Sequence, residues 1–113
     1  MEARATQKHI RVSPQKARLV VDLIRGKNAG EALSILTYTK KRVTQAVEKV
    51  LRSAIANAEQ KAEHLDVDQL VVSKAYVNEG PRSKRTRPAP MGRAYRYQRR
   101  TSHVTVVVES PEA

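Results

Sequence analysis

The chain has 113 residues and a formal net charge of +11, with 22 Lys and Arg against 11 Asp and Glu. This length predicts a single domain, residues 1–113. The absence of cysteine excludes a disulfide framework and thiolate metal sites. No run of ~18 apolar residues is present, and the basic start of the chain predicts no signal peptide. We therefore expect a cytoplasmic protein whose basic surface binds a polyanion.

The N-terminal part of the chain is predicted to form a strand and then a helix. Residues 3–12 are extended and favour an edge strand. Ser13 can cap a helix, Pro14 suits the first helical position, and apolar residues then recur at helical spacing. We therefore expect a first helix from Pro14 to about Arg25, ended by Gly26.

Two more helices should follow. Asn28 and Glu31 have the spacing of a capping box, and the apolar residues after them predict a short second helix to about Tyr38. Apolar residues keep a helical period over residues 43–62 and predict a third helix. Thr39 is a possible N-cap for it. A helix of about 24 residues would span ~36 Å, so we expect it to be the scaffold of the domain.

Two alternating apolar runs, residues 70–77 and 101–108, predict a pair of strands. Residues 80–100 should extend this pair into a long hairpin arm, with a tip at Pro88, Ala89, Pro90, Met91 and Gly92. The N-terminal strand would complete the sheet. The predicted fold is α+β, with three helices packed on a small antiparallel three-stranded sheet and a long protruding β-hairpin.

The hairpin arm is strongly basic. Residues 80–100 carry eight cations and no acid, and seven of the eight are arginine. A guanidinium group can bind two phosphate oxygens at once and can stack on a base, which suits irregular RNA. Tyr95 and Tyr97 should share one strand face, where they either stack on bases or cover the neighbouring strand. The expected RNA contacts are Arg82, Lys84, Arg85, Arg87, Arg93, Arg96, Arg99 and Arg100.

A second basic surface surrounds the first helix. The start of that helix offers backbone donors that favour phosphate, although interspersed cations are also ordinary on a solvated helix face. The expected RNA contacts are Arg11, Ser13, Lys16, Arg18, Arg25 and Lys27. The segregation of positive charge into two segments favours two contact surfaces on one polyanion.

The sequence gives little support for an enzyme or a metalloprotein. It contains no glycine-rich phosphate loop and no serine in an elbow motif. His64, Asp66 and Asp68 form the one candidate metal cluster, but a polar connection between a helix and a strand explains them better. His103, beside Ser102 in the last strand, suits a hydrogen bond or a phosphate contact better than acid–base chemistry. We expect no cofactor, no metal and no small-molecule substrate.

Five segments form a series along the chain: IRVSPQKARLVVDLIRGK, VLRSAIANAE, VNEGPRSKR, GRA and RRTSHVTVVV. In this order they resemble the L twenty-two family of bacterial large-subunit ribosomal proteins. The resemblance covers nearly the whole chain and implies a compact α+β body with a long hairpin. It also implies a structural role in the ribosome. The expected partners are large-subunit ribosomal RNA, neighbouring ribosomal proteins and, near the hairpin tip in the peptide exit tunnel, the nascent chain.

Carried over by position, the resemblance implies a body contact with RNA over Ser13–Lys27. The positions that match the family's hairpin pattern are Lys84, Arg85, Gly92, Arg93, Arg100, Ser102 and His103. The tip departs from that pattern, since many relatives have Pro-Arg-Ala and a basic residue before the glycine. This chain has Pro88, Ala89, Pro90 and Met91, and so carries up to two fewer cations there.

Two other classes of protein compete with this interpretation. A free nucleic-acid-binding module would bind generic RNA and duplex DNA with similar affinity. A binder of acidic membranes would need a basic amphipathic helix with large apolar residues, whereas the first helix offers only Ala, Val, Leu and Ile. We therefore expect no membrane partner.

Overall fold

A computed structural model describes residues 2–39, 41–61, 67–88, 92 and 94–110. The elements in chain order are β1 (Glu2–Ile10), α1 (Pro14–Ile24), α2 (Ala29–Tyr38), α3 (Thr44–Lys61), a 3₁₀ turn (Val67–Gln69), β2 (Val71–Glu79), β3 (Ser83–Pro88), β4 (Ala94–Arg99) and β5 (Ser102–Glu109). The predicted α+β fold, with its three helices and three-stranded antiparallel sheet, is confirmed. No helix in these ranges is long and apolar enough to cross a membrane.

The body of the protein is built around β5. This strand pairs with β1 on one side and β2 on the other, both antiparallel, so the N-terminal strand lies at a sheet edge as predicted. Val104, Val106 and Val108 are fully buried, because helices α1 and α3 cover the sheet. The core is aliphatic throughout the described part of the chain, as the lack of Phe and Trp requires.

Helix α1 begins and ends as its sequence predicts. Pro14 occupies the first turn, and Gly26 follows the helix at φ +82°, a conformation that favours glycine. The Gly26 amide donates to the Val72 carbonyl at 2.9 Å, and the Val72 amide donates back to the Lys27 carbonyl at 2.9 Å. The C-terminal end of α1 is therefore fixed beside the start of β2.

Helix α2 is capped as predicted, but α3 begins later than predicted. The Glu31 amide donates to Asn28 Oδ1 at 2.8 Å. The proposed N-cap role of Thr39 is wrong, because its hydroxyl donates to the Ile35 carbonyl at 2.6 Å and so ends α2 instead. Helix α3 starts at Thr44 and is described to Lys61, and its predicted end at about residue 62 lies outside the described residues.

The basic arm is a separate two-stranded antiparallel sheet, β3–β4. Its register runs from Ser83 opposite Arg99 to Pro88 opposite Ala94. The molecule measures 66 × 25 × 16 Å along its principal axes. Of the predicted tip, Pro88 ends β3 and Gly92 has φ +73°, whereas Ala89, Pro90 and Met91 lie outside the described residues.

Candidate nucleic-acid interface

The arm leaves the body through a short neck, residues 79–82 and 100–102. The Gly80 amide donates to the Thr101 carbonyl at 2.9 Å, and the Thr101 hydroxyl donates to the Pro81 carbonyl at 2.7 Å. A Cβ at Gly80 would lie 3.1 Å from His103 Cε1 and 3.2 Å from the backbone carbonyl carbon of Thr101. Glycine is therefore needed at the point where the two segments of the neck lie side by side, at Gly80 and Thr101.

One carboxylate stands among the cations of the neck. Glu79 forms an exposed ion pair with Arg82. The hydrogen bond and charge of Arg82 lower the pKa of Glu79, against an opposing effect of desolvation, and the charges of Arg100 and Arg18 make smaller contributions that also lower it. Arg18 belongs to α1 and donates to the Val77 carbonyl, two residues before Glu79 on β2, so the two predicted basic surfaces meet near Glu79.

Two arginines of α1 join that helix to strand β2. The Arg18 guanidinium donates to the Val77 carbonyl at 3.1 Å. Arg25 donates to the Ala75 carbonyl from Nε at 3.1 Å and from Nη2 at 2.6 Å, and its Nη1 binds Asp22 at 2.8 Å. Both residues remain exposed and keep further N–H donors, so they can hold the helix and still face a phosphate.

The other predicted contacts on the body differ in exposure. Arg11, Lys16 and Lys27 are exposed, and Ser13 is half-buried with no side-chain bond to the helix start. Ser102 is 0% exposed, and its hydroxyl donates to the Val12 carbonyl at 2.7 Å. The structure thus gives Ser102 a role inside the body.

His103 is half-buried and packs against His9. Its Nδ1 accepts a hydrogen bond from the His9 amide at 3.1 Å, and the two rings meet edge to face with their centroids 5.0 Å apart. His9 has φ +62°, within the irregular stretch of the β1–β5 pairing between Gln7 and Ile10. This histidine pair therefore fixes the end of β1 against the base of the arm.

The register of the arm pairs arginines with tyrosines. Arg85 lies opposite Tyr97 and Arg87 lies opposite Tyr95. Thr86 lies opposite Arg96. Of the remaining predicted contacts in the arm and neck, Arg82, Lys84 and Arg100 are exposed, Arg99 is the last residue of β4, and Arg93 lies outside the described residues.

Sequence reasoning did not single out Glu79 in the neck. Glu79 is the sole Asp or Glu between residues 69 and 108, and that isolation was the available signal. No group of three His, Cys, Asp or Glu residues able to hold a metal occurs in the described ranges. Of the proposed metal cluster, His64 and Asp66 lie outside those ranges, and Asp68 is exposed in the 3₁₀ turn.

Comparisons with a family model and with known proteins point to the same kind of ribosomal protein. Residues 5–109 match the family model described as ribosomal protein L22p/L17e. Over 113 residues, the chain is 65% identical to the large ribosomal subunit protein uL22 of Solibacter usitatus, with each chain covered completely. It is 57% identical over 108 residues to the protein of the same name from Oceanobacillus iheyensis, which covers 96% of this chain and 95% of that one.

Proposed function

The chain belongs to the ribosomal protein L22p/L17e family, and on that premise we propose that it binds and organises large-subunit ribosomal RNA. In this proposal the basic hairpin lies along the peptide exit tunnel. The family consists of structural ribosomal proteins, so the chain is not an enzyme. Its place is the ribosome, which in bacteria lies in the cytoplasm.

The observation that carries the proposal is the continuity of positive charge around Glu79. Arg18 on α1 donates to the Val77 carbonyl, two residues before Glu79, while Glu79 binds Arg82 and pairs with Ser102 two residues after Arg100, so the helix and the arm present one surface. One acid cannot neutralise three arginines. The surplus charge allows phosphate groups from separate RNA segments to approach each other across the neck.

Most of the sequence-predicted contacts stay in the proposal. The arm carries arginines on both of its strands, with Arg85 and Arg87 on β3 and Arg96 and Arg99 on β4, so each strand brings cations for RNA. Ser102 is withdrawn as an RNA contact, because its hydroxyl is buried and bonded to Val12. His103 is proposed to contact RNA through Nε2, since Nδ1 already accepts from His9.

The tip is proposed to face the nascent chain. A photo-crosslinking residue at Met91 should label a stalled nascent chain, whereas the same residue at Lys84, nearer the neck, should label RNA. Labelling of RNA alone from both positions would contradict a tunnel-facing tip.

Sedimentation of tagged protein from a cell lysate, after the large subunits are washed in high salt, tests the ribosomal role. Retention on the subunit is expected, because a body contact and an inserted arm must be released together. Release into the free fraction, with equal affinity for ribosomal RNA and duplex DNA, would instead identify a free nucleic-acid-binding module.

A further inference from the structure

The turn between α2 and α3 exposes an aromatic ring that the fold does not use. Tyr38 is 85% exposed, against 55% for Leu19, 43% for Leu23 and 39% for Tyr76, the other large apolar side chains described as exposed. It is the last residue of α2. A ring held in water in this way contributes little to the stability of the body.

The surroundings of Tyr38 are cationic. Lys41 and Arg42 are exposed and form no ion pair with another described residue. The sequence contains no Asp or Glu from residue 32 to residue 47, so the first turn of α3 also lacks an acid. Thr37 and Thr39 flank the ring. The patch is therefore polar and positive, which favours a polyanion as its partner.

This turn lies at the end of the body from which the arm emerges. Asn57 donates to the Arg4 carbonyl at 2.8 Å and Lys61 donates to the Glu2 carbonyl at 3.0 Å, so α3 runs antiparallel to β1. From Asn57 back to Thr44 the helix rises ~20 Å, and from Arg4 to Ile10 the strand advances ~20 Å. The start of α3 is therefore level with Ile10.

Ile10 pairs with Ser102 at the base of the neck. The start of α1 lies at the same end, because Arg18 binds Val77 near the end of β2 while Gly26 binds Val72 near its beginning. The turn, the start of α1 and the neck thus lie together at one end of the body.

We propose that Tyr38, Lys41 and Arg42 form a third RNA contact, in which the tyrosine ring stacks on an unpaired base and the two cations bind the flanking phosphates. The inference rests on the proposed RNA-binding function and adds to it a contact outside the hairpin and α1. Irregular RNA supplies unstacked bases, and an exposed ring among cations is the usual protein platform for them.

The first test measures affinity for a transcript of large-subunit ribosomal RNA. Tyr38→Ala should bind at least about fivefold more weakly, the lower range for loss of a stacking ring, and Tyr38→Phe should bind like the parent protein. Tyr76→Ala removes another exposed tyrosine and is the matched control. The slope of log affinity against log salt concentration should become less steep by about 0.7–0.9 in Arg42→Gln, because one phosphate contact is lost. Arg52→Gln should not, because Arg52 is paired with Glu48 at 2.8 Å.

The second test uses fluorescence, since the chain contains no tryptophan. Emission from Tyr38→Trp should be quenched when the ribosomal RNA transcript binds, whereas emission from Tyr76→Trp should change little. Equal quenching by duplex DNA, or by polyglutamate, would overturn stacking on an unpaired base.

The two proposals fail in different ways. Parent-like affinity of Tyr38→Ala, together with unquenched Tyr38→Trp, would overturn the third contact and leave RNA binding by the hairpin intact. Failure of the parent protein to bind the transcript would overturn both proposals.

Discussion

Gly80 determines how the arm leaves the body. Because a Cβ there would press on the backbone of Thr101, which is held in the neck by hydrogen bonds, Gly80→Ala should lower the free energy of unfolding by about 1–3 kcal/mol. Denaturant unfolding measures this change. Gly30→Ala is the matched control, since its Cβ would meet only Asn28 Oδ1, at 3.6 Å.

The control should move in the opposite direction. Gly30 lies in α2, where alanine is a better helix former, so Gly30→Ala should raise the free energy of unfolding by about 0.5–1 kcal/mol. Equal effects at the two glycines would contradict the crowding inferred at Gly80.

Glu79 should titrate according to the arginines around it. Its pKa is lowered from the ordinary value of 4.5, so any stability that it contributes is present above that value and is lost as the pH falls through the lowered pKa. Arg82→Gln should raise the pKa of Glu79 strongly, and Arg100→Gln should raise it less. NMR titration of the carboxyl carbon measures both shifts; an unchanged pKa in Arg82→Gln would disprove this electrostatic assignment.

Among the elements, α1 and α2 start in different ways. Asn28 accepts from the Glu31 amide, whereas Ser13 makes no side-chain cap bond. Asn28→Ala should therefore lower the free energy of unfolding by about 0.5–2 kcal/mol, and Ser13→Ala should lower it much less. Thermal unfolding of the two variants compares them directly, and a larger loss from Ser13→Ala would contradict the observed caps.

Sequence signals predicted the elements whose boundaries depend on local chemistry. Pro14, Gly26 and Asn28 act within one helical turn, so the bounds of α1 and the start of α2 could be predicted. Thr39 has a hydroxyl suited to either helix, and its bond to Ile35 decided the outcome. The burial of Ser102 depends on Val12, 90 residues away, and no local pattern encodes that contact.

The arm should be separable from the body. The arm forms a two-stranded sheet of its own, β3–β4, separate from the three-stranded sheet of the body. A variant lacking Ser83–Arg96 should therefore keep a cooperative thermal transition while it binds ribosomal RNA more weakly. Loss of that transition would mean that the arm belongs to the core of the fold.

On the scale of the whole molecule, charge and shape act together. The molecule is 66 Å long, and the cationic start of α1, the neck and the turn before α3 lie at the end of the body that carries the arm. At the opposite end, where Glu2 and Val71 both pair with Glu109, the exposed cations Lys27 and Lys61 stand beside these two acidic residues, so the charge there is closer to balanced. RNA should therefore approach from one end and follow the arm.

This arrangement predicts a steep dependence of RNA affinity on salt. If roughly six to ten phosphates are engaged, affinity for ribosomal RNA should fall about 10³ to 10⁵-fold between about 50 and 200 mM salt, because each neutralised phosphate releases condensed counterions. Filter binding across a salt series measures the slope. The variant lacking Ser83–Arg96 loses Lys84, Arg85, Arg87, Arg93 and Arg96, so its slope should be shallower while the body contacts remain. A slope near zero for the complete chain would rule out charge neutralisation as the basis of binding, and an unchanged slope in the shortened variant would assign the phosphate contacts to the body alone.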